Sequence, residues 1–221
     1  MSLEARKSAQ LVDPGADMLD RIQGFWDRYG RIVLIAGAAV LAAVLLGFFT
    51  VRSRAASENE ASGRLAEASA LFFRGEYQRS IELSRQIAQQ YGSTPSGVDA
   101  HRLAGDNAFW MGDVKTAISE YRTYLARQKS GMLADAVKRS LAYSLESEKQ
   151  YAESAGLYDQ LVGRFDRESS AEFLTAAARC HLALNQPAEA EKRLKRVVDE
   201  FGETSFAESA RIRLAETATT R

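Results

Sequence analysis

Two histidines, one cysteine and scattered carboxylates are the side chains with chemistry to offer, and their placement argues against catalysis. His101 and His181 fall in different segments, and neither has a cysteine or histidine at metal-ligand spacing. Cys180 directly precedes His181, but adjacent helical residues point in different directions, which disfavours a nucleophile–base pair. No glycine-rich phosphate loop and no GxSxG turn occurs. Glu189-Ala190-Glu191 and Asp199-Glu200 read as solvated helix faces. Cys180 lies among Ala176, Ala177, Ala178 and Leu182, where a small buried filler is expected, and a lone cysteine forms no intramolecular disulfide. These residue types predict no enzyme activity, no cofactor, no metal and no small-molecule substrate. Basic and acidic side chains balance at 29 each without a basic patch, so nucleic acid is not an expected partner.

The elements that would position any site repeat along the chain. Tyr77, Val114, Tyr151 and Pro187 are spaced by 37, 37 and 36 residues. A small residue follows each at the third position: Ser80, Ala117, Ser154 and Ala190. Next come Ser84, Tyr121, Tyr158 and Leu194, then Ile87, Tyr124, Leu161 and Val197. Nine residues before each anchor sits another small residue: Ala68, Gly105, Ala142 and Ala178. Such a register belongs to stacked units that hide their apolar faces on their neighbours. Apolar residues at helical spacing flank breaks at Gly75-Glu76, Gly112-Asp113 and Asn185-Gln186-Pro187. Each unit therefore reads as two antiparallel helices joined by a short turn.

Leu103-Ala104-Gly105, Trp110-Met111-Gly112-Asp113, Ala117-Ile118 and Tyr121 together resemble a tetratricopeptide repeat, and the other units resemble it more loosely. The family repeat is about 34 residues long. The extra residues here are expected in connections such as Tyr91-Gly92-Ser93-Thr94-Pro95-Ser96-Gly97. The fold expected over 53–221 is an all-α solenoid of about four such hairpins, with Ser205 to Thr217 as its capping helix. The resemblance implies a concave surface lined by the first helix of each pair. Carried onto this chain, that surface takes Leu65, Ser69 and Phe72 from the first unit and Arg102, Asp106, Phe109 and Trp110 from the second. The third contributes Arg139, Tyr143 and Glu146, and the fourth Thr175, Arg179 and Leu182. Arginine and aromatic side chains dominate binding hot spots, and Arg102, Arg139 and Arg179 suit an acidic segment. They do not match the Lys/Asn clamp of chaperone-tail-binding members. Packing between repeats is the alternative role for Phe72, Phe109 and Trp110.

Upstream, Ile32 to Val51 is a run of 20 residues without a charge. As a helix it spans ~30 Å, the thickness of a bilayer core. It has no polar stripe, and Trp26, Tyr29, Phe48 and Phe49 flank it as interface anchors. A signal peptide cleaved near Ser53-Arg54-Ala55 is the alternative. Ala39, Ala43 and Gly47 recur on one face, which would let this helix pack on another, including a second copy of itself. Met18, Leu19, Ile22, Phe25, Trp26 and Tyr29 form an apolar stripe within 1–31. It reads either as a surface-lying helix or as the first turns of a longer anchor. Met1 to Gly15 lack apolar periodicity and are expected to be disordered.

The segment Phe25-Trp26-Asp27-Arg28-Tyr29-Gly30, a single anchor over 32–51 and the repeat array together resemble the ancillary subunit family of the bacterial SecYEG translocon. That resemblance implies a cytoplasmic N-terminus, a periplasmic repeat domain, and association with the translocon and a membrane-bound periplasmic chaperone. Arg6, Lys7, Arg21, Arg28 and Arg31 before the span outnumber Arg52, Arg54 and Arg64 after it, which favours a cytoplasmic N-terminus, but the basic residues near the span are balanced and do not orient it alone. Envelope scaffolds of outer-membrane assembly or of the Tol–Pal system, and a cytoplasm-facing adaptor, are the competing readings. Ala42→Arg near the middle of the run is expected to weaken insertion by ~2.5–3.5 kcal/mol. Carbonate washing should release the variant and retain the wild type; release of uncleaved wild type would rule out the anchor.

Overall fold

The computed structural model describes residues 14–219, and side chains from 18 to 216. The described secondary structure is helical: α1 (Pro14–Phe73), α2 (Tyr77–Gln90), α3 (Pro95–Trp110), α4 (Val114–Arg127), α5 (Met132–Ser147), α6 (Tyr151–Leu161), α7 (Arg167–Ala183), α8 (Pro187–Glu200) and α9 (Phe206–Thr219). The chain divides into two compact units, one ending at Ala55 and one beginning at Ala56. The second is an all-α solenoid. Residues of α1 beyond Ala55 pair with α2, then α3 with α4, α5 with α6 and α7 with α8, and α9 closes the series on α8 and α7.

The four sequence anchors are the first residues of α2, α4, α6 and α8. The turn before each is the same motif. Gly75, Gly112, Lys149 and Asn185 hold φ of 76°, 81°, 60° and 57°, the left-handed region. Each donates its N–H three residues back, and the residue after it donates five residues back, as in Glu76 to the Leu71 carbonyl and Gln150 to the Leu145 carbonyl. This Schellman arrangement satisfies the carbonyls left open at the helix end and turns the chain back on itself. Asp113 then caps α4 through the Thr116 N–H, and Pro187 opens α8 where no N–H is needed.

The small residues sit where the two helices of a hairpin meet. Ser80, Ala117, Ser154 and Ala190 have no exposed surface. Ser80 Oγ donates to the Ala68 carbonyl at 2.7 Å and Ser154 Oγ to the Ala142 carbonyl at 2.9 Å, each joining the two small positions of its unit. In the second hairpin a Cβ on Gly105 would lie 2.6 Å from the buried Tyr121 ring, so only glycine fits. The apolar core forms clusters shared between hairpins. One joins Ile81, Ala104, Ala117, Tyr121, Val137 and Leu145 from four successive helices. Another joins Leu174, Ala178, Leu194, Phe201 and Ala210, which seats the cap.

Two local expectations change. The extra length between hairpins lies in Tyr91 to Thr94, while Pro95, Ser96 and Gly97 form the first turn of α3. Thr94 caps that turn by accepting from the Gly97 N–H, and a Cβ on Gly97 would strike the Tyr91 carbonyl oxygen at 1.9 Å. The expected disorder of Met1 to Gly15 falls mostly on 1–13, outside the described residues. Pro14 and Gly15 are helical, and proline suits the opening turn of α1.

Within α1 the uncharged run is helical throughout, and no part of its most apolar stretch is covered by protein. The flanking Trp26 and Phe48 are 52% and 58% exposed, and the Phe25 and Tyr29 rings meet at 5.3 Å. Among the described residues this is one helix long and apolar enough to cross a membrane.

Lys149 is exposed, so its side chain contributes little beyond an unfavourable backbone conformation. A left-handed non-glycine residue costs ~1–2 kcal/mol, and the added freedom of glycine in the unfolded chain offsets ~0.4–1 kcal/mol. Lys149→Gly is therefore expected to raise stability by about 0.5–1 kcal/mol in urea unfolding. A lower midpoint would overturn the turn assignment.

Candidate protein-binding groove

The residues expected to line the groove lie on the first helix of each hairpin, and the structure shows what each side chain contacts. Leu65 and Phe72 of α1 pack partly against a cluster of Ala61, Ala68, Ile87, Tyr91, Ala100 and Leu103. The Phe72 ring lies 5.5 Å from Phe73 and 5.6 Å from Tyr77, and Ser69 Oγ donates to the Leu65 carbonyl.

On α3, Arg102 is held by its own helix. Its guanidinium donates to Asp99 at 2.7 and 2.9 Å and to Asp106 at 2.8 Å. The other Asp106 oxygen accepts from the Tyr121 hydroxyl at 2.8 Å. Burial raises the Asp106 carboxyl above its ordinary value despite Tyr121 and Arg102 beside it. Burial, then the Asp106 charge, pushes the Tyr121 hydroxyl well up.

On α5 and α7 the pairing runs between hairpins. Arg139 lies over the Tyr143 ring at 5.7 Å and the Phe173 ring at 6.0 Å, with Glu172 at 3.8 Å. Tyr143 donates its hydroxyl to the same Glu172. Arg179 donates to both Glu146 oxygens, at 2.5 and 2.9 Å, and Tyr158 adds its hydroxyl at 2.9 Å. Burial would raise Glu146, but Arg179 and Tyr158 outweigh it and hold its carboxyl below the usual range.

The expectation of three arginines waiting for an acidic segment is thus revised: each already faces a carboxylate of this chain. Thr175 is revised as well. It is buried and donates to the Ala171 carbonyl at 2.8 Å, so it offers little surface. Leu182 is half-buried against the last core cluster. The carboxylates Asp99 and Glu172 and the exposed Ile212 of α9 were not anticipated. Ile212 continues the register 37 residues after Thr175, a signal legible once the cap is read as another first helix.

The aromatics divide between the two roles considered for them. Phe72 packs, whereas Phe109 and Trp110 are 36% and 65% exposed. They line a recess of about 160 Å³ with Asp106, Tyr121, Ser140 and Tyr143. A shallower depression of about 590 Å³ runs past Leu65, Val98, Asp99, Tyr124, Arg127 and Leu133.

The histidines and the cysteine make contacts within the chain. His101 Nδ1 meets Glu120 at 2.8 Å, and Arg85 meets the same carboxylate at 3.0 Å, tying three helices together. His181 Nδ1 meets Gln186 at 2.8 Å. Cys180 is buried with Sγ 3.6 Å from Ser154 Oγ, and burial pushes its thiol up. Among the described residues no group of three or more His, Cys, Asp or Glu is placed to hold a metal ion. In α1, Ala39, Ala43 and Gly47 lie four residues apart, and a Cβ on Gly47 would meet nothing within 4 Å.

Comparison with known proteins identifies the architecture. No protein-family model and no curated protein matches the chain. Solved structures do. A crystal structure of nearly identical TPR-like repeats, assigned to a kinesin light chain of Podosopora anserina, superposes with a TM-score of 0.57 at 19% identity, covering 73% of this chain and 87% of that one. A methionine-substituted variant of the same repeats gives 0.56 at 20% identity, covering 73% and 86%. The fold is a TPR-like helical repeat.

The Glu146–Arg179 pair has a testable pH signature. A carboxyl held low in the folded state stabilises above its unfolded value of about 4.3, and that stabilisation is lost as pH falls through the folded value. Arg179 is partly exposed, so Arg179→Ala is expected to cost only ~1 kcal/mol or less at neutral pH. The difference from wild type should shrink on acidification below about pH 4 in urea unfolding. A difference independent of pH would mean the pair contributes packing alone.

Proposed function

We propose that this protein is a membrane-anchored TPR-like adaptor that binds other proteins at the bacterial inner membrane and has no catalytic activity. The observation that carries this reading is an uncovered apolar helical run followed by a solenoid whose inner face exposes aromatic and charged side chains. Solenoids of this kind present extended concave surfaces to partners. In this reading α1 remains uncleaved, its residues 32–51 span the membrane, and 53–221 form the binding array. Ala39, Ala43 and Gly47 supply a close-packing face for another membrane helix, a second copy included.

The resemblance of the anchor-plus-array arrangement to the SecYEG ancillary subunits supports a finer assignment. The N-terminus lies in the cytoplasm and the repeats in the periplasm, where they assist proteins emerging from the translocon together with a membrane-bound chaperone. The inner-face residues still able to reach a partner are Phe109, Trp110, Arg139, Arg179 and the rim around them.

Protease added to spheroplasts tests the topology, and crosslinking tests the partner. The region after Arg54 should be digested while an N-terminal tag survives. Photo-crosslinkers at Phe109 and Arg139 should trap translocon subunits or the chaperone. Full protection of the repeats, with lysed cells digested as control, would place the array in the cytoplasm and defeat the assignment. Crosslinks confined to outer-membrane assembly or Tol–Pal components would favour the envelope scaffold.

A further inference from the structure

The recess between α3, α4 and α5 has a lining that selects its occupant. Four of its six side chains are aromatic: Phe109, Trp110, Tyr121 and Tyr143. Ser140 adds a hydroxyl and Asp106 the sole charge, so no basic side chain is among the lining residues. At about 160 Å³ it holds one side chain, not a peptide backbone.

The neighbouring hairpin shows how this chain fills the matching position. One repeat further on, Tyr143, Glu146, Tyr158 and Arg179 stand where Asp106, Phe109, Tyr121 and Tyr143 stand here. There a tyrosine hydroxyl and a guanidinium share one carboxylate: Tyr158 and Arg179 on Glu146. Arg179 is this chain's own cation, reaching across from α7. In the α3–α5 recess the corresponding residue is Tyr143, so that cation has no counterpart in the lining. Asp106 accepts one bond at each oxygen, from Tyr121 and from Arg102, and a carboxylate has capacity for about four. Asp99 and Asp106 together exceed Arg102 by one negative charge.

Guanidinium and ammonium groups bind aromatic faces within about 6 Å. The array already uses such contacts, with Arg139 over Tyr143 at 5.7 Å and Arg167 over Phe201 at 5.0 Å. An apolar occupant would instead take the Asp106 carboxylate further out of water with no charge to compensate it beyond the Arg102 it shares with Asp99. Burial already raises that carboxyl, so a cation is the occupant that relieves it.

We propose that this recess receives a single basic side chain, lysine or arginine, from an extended partner polypeptide. The inference rests on the reading of the inner face as a binding surface, and it names the residue class that surface selects.

The test uses the full-length protein in detergent micelles with Trp26→Phe, which leaves Trp110 as the single tryptophan reporter. The probes are Gly/Ser peptides whose central residue is lysine, arginine, norleucine or glutamate. Lysine and arginine peptides should change Trp110 fluorescence with affinity about fivefold above norleucine, and glutamate should be weakest. Asp106→Asn should bring the lysine peptide down to the norleucine level. Should that variant melt early, Phe109→Ala at the half-exposed rim should lower lysine and arginine binding while the thermal transition stays near wild type. Norleucine binding as tightly as lysine would overturn the charge selection and leave the groove reading intact. A lysine preference surviving both variants would place the site elsewhere. No response to any peptide overturns the recess itself; the adaptor reading is then judged by the spheroplast crosslinks, which do not depend on Trp110.

Discussion

Close approach of two helix backbones within each hairpin is the constraint from which the rest of this array follows. Ala68, Gly105, Ala142 and Ala178 face the small positions Ser80, Ala117, Ser154 and Ala190 of the returning helix, and every one of them is buried. With little side-chain volume between them, the helices can interdigitate their larger neighbours on either side. Two units add a serine hydroxyl to the opposite carbonyl, which fixes the approach by a directional bond in place of dispersion alone. The second unit goes furthest: Gly105 admits the Tyr121 ring where any Cβ would collide. That ring then delivers its hydroxyl to Asp106, so a packing requirement in the core shapes the wall of the recess beside Trp110.

The candidate groove residues are largely satisfied within the chain. Their ion pairs and tyrosine hydroxyls join α5 to α7 through Glu146–Arg179 and Tyr143–Glu172, and they hold α3 through Asp99–Arg102–Asp106. Such partly exposed pairs contribute modestly to stability individually. In the proposed reading of the inner face, an acidic segment would have to displace the carboxylates already bonded to Arg102 and Arg179. This shifts weight from the arginines toward the exposed aromatics Phe109 and Trp110, which have area to bury and no intramolecular claim of that kind.

How far the chain is legible without coordinates differs from level to level, for physical reasons. Tyr77, Val114, Tyr151 and Pro187 mark helix starts because turn chemistry and apolar period are local, and each unit repeats them. The left-handed turn position shows how far that extends. Gly75 and Gly112 announce it, whereas Lys149 and Asn185 reveal it only by register, since neither type demands that conformation. Gly97 misleads in the opposite direction: it looks like loop, but it lies in the first turn of α3, which Thr94 caps, and the nearby Tyr91 carbonyl is why that turn carries glycine.

By itself the sequence determined the all-α class, the hairpin register, the capping helix and the uncharged helical run, because each is written in a period or a composition along one segment. Tertiary structure alone decided which of the candidate groove residues are already paired or buried. Arg139, Arg179 and Tyr143 find their carboxylates about one repeat away, and Thr175 is withdrawn by packing that no local pattern displays. The recess beside Trp110 has the same origin. Its walls come from three helices, and its shape exists only once their side chains have been stacked against one another.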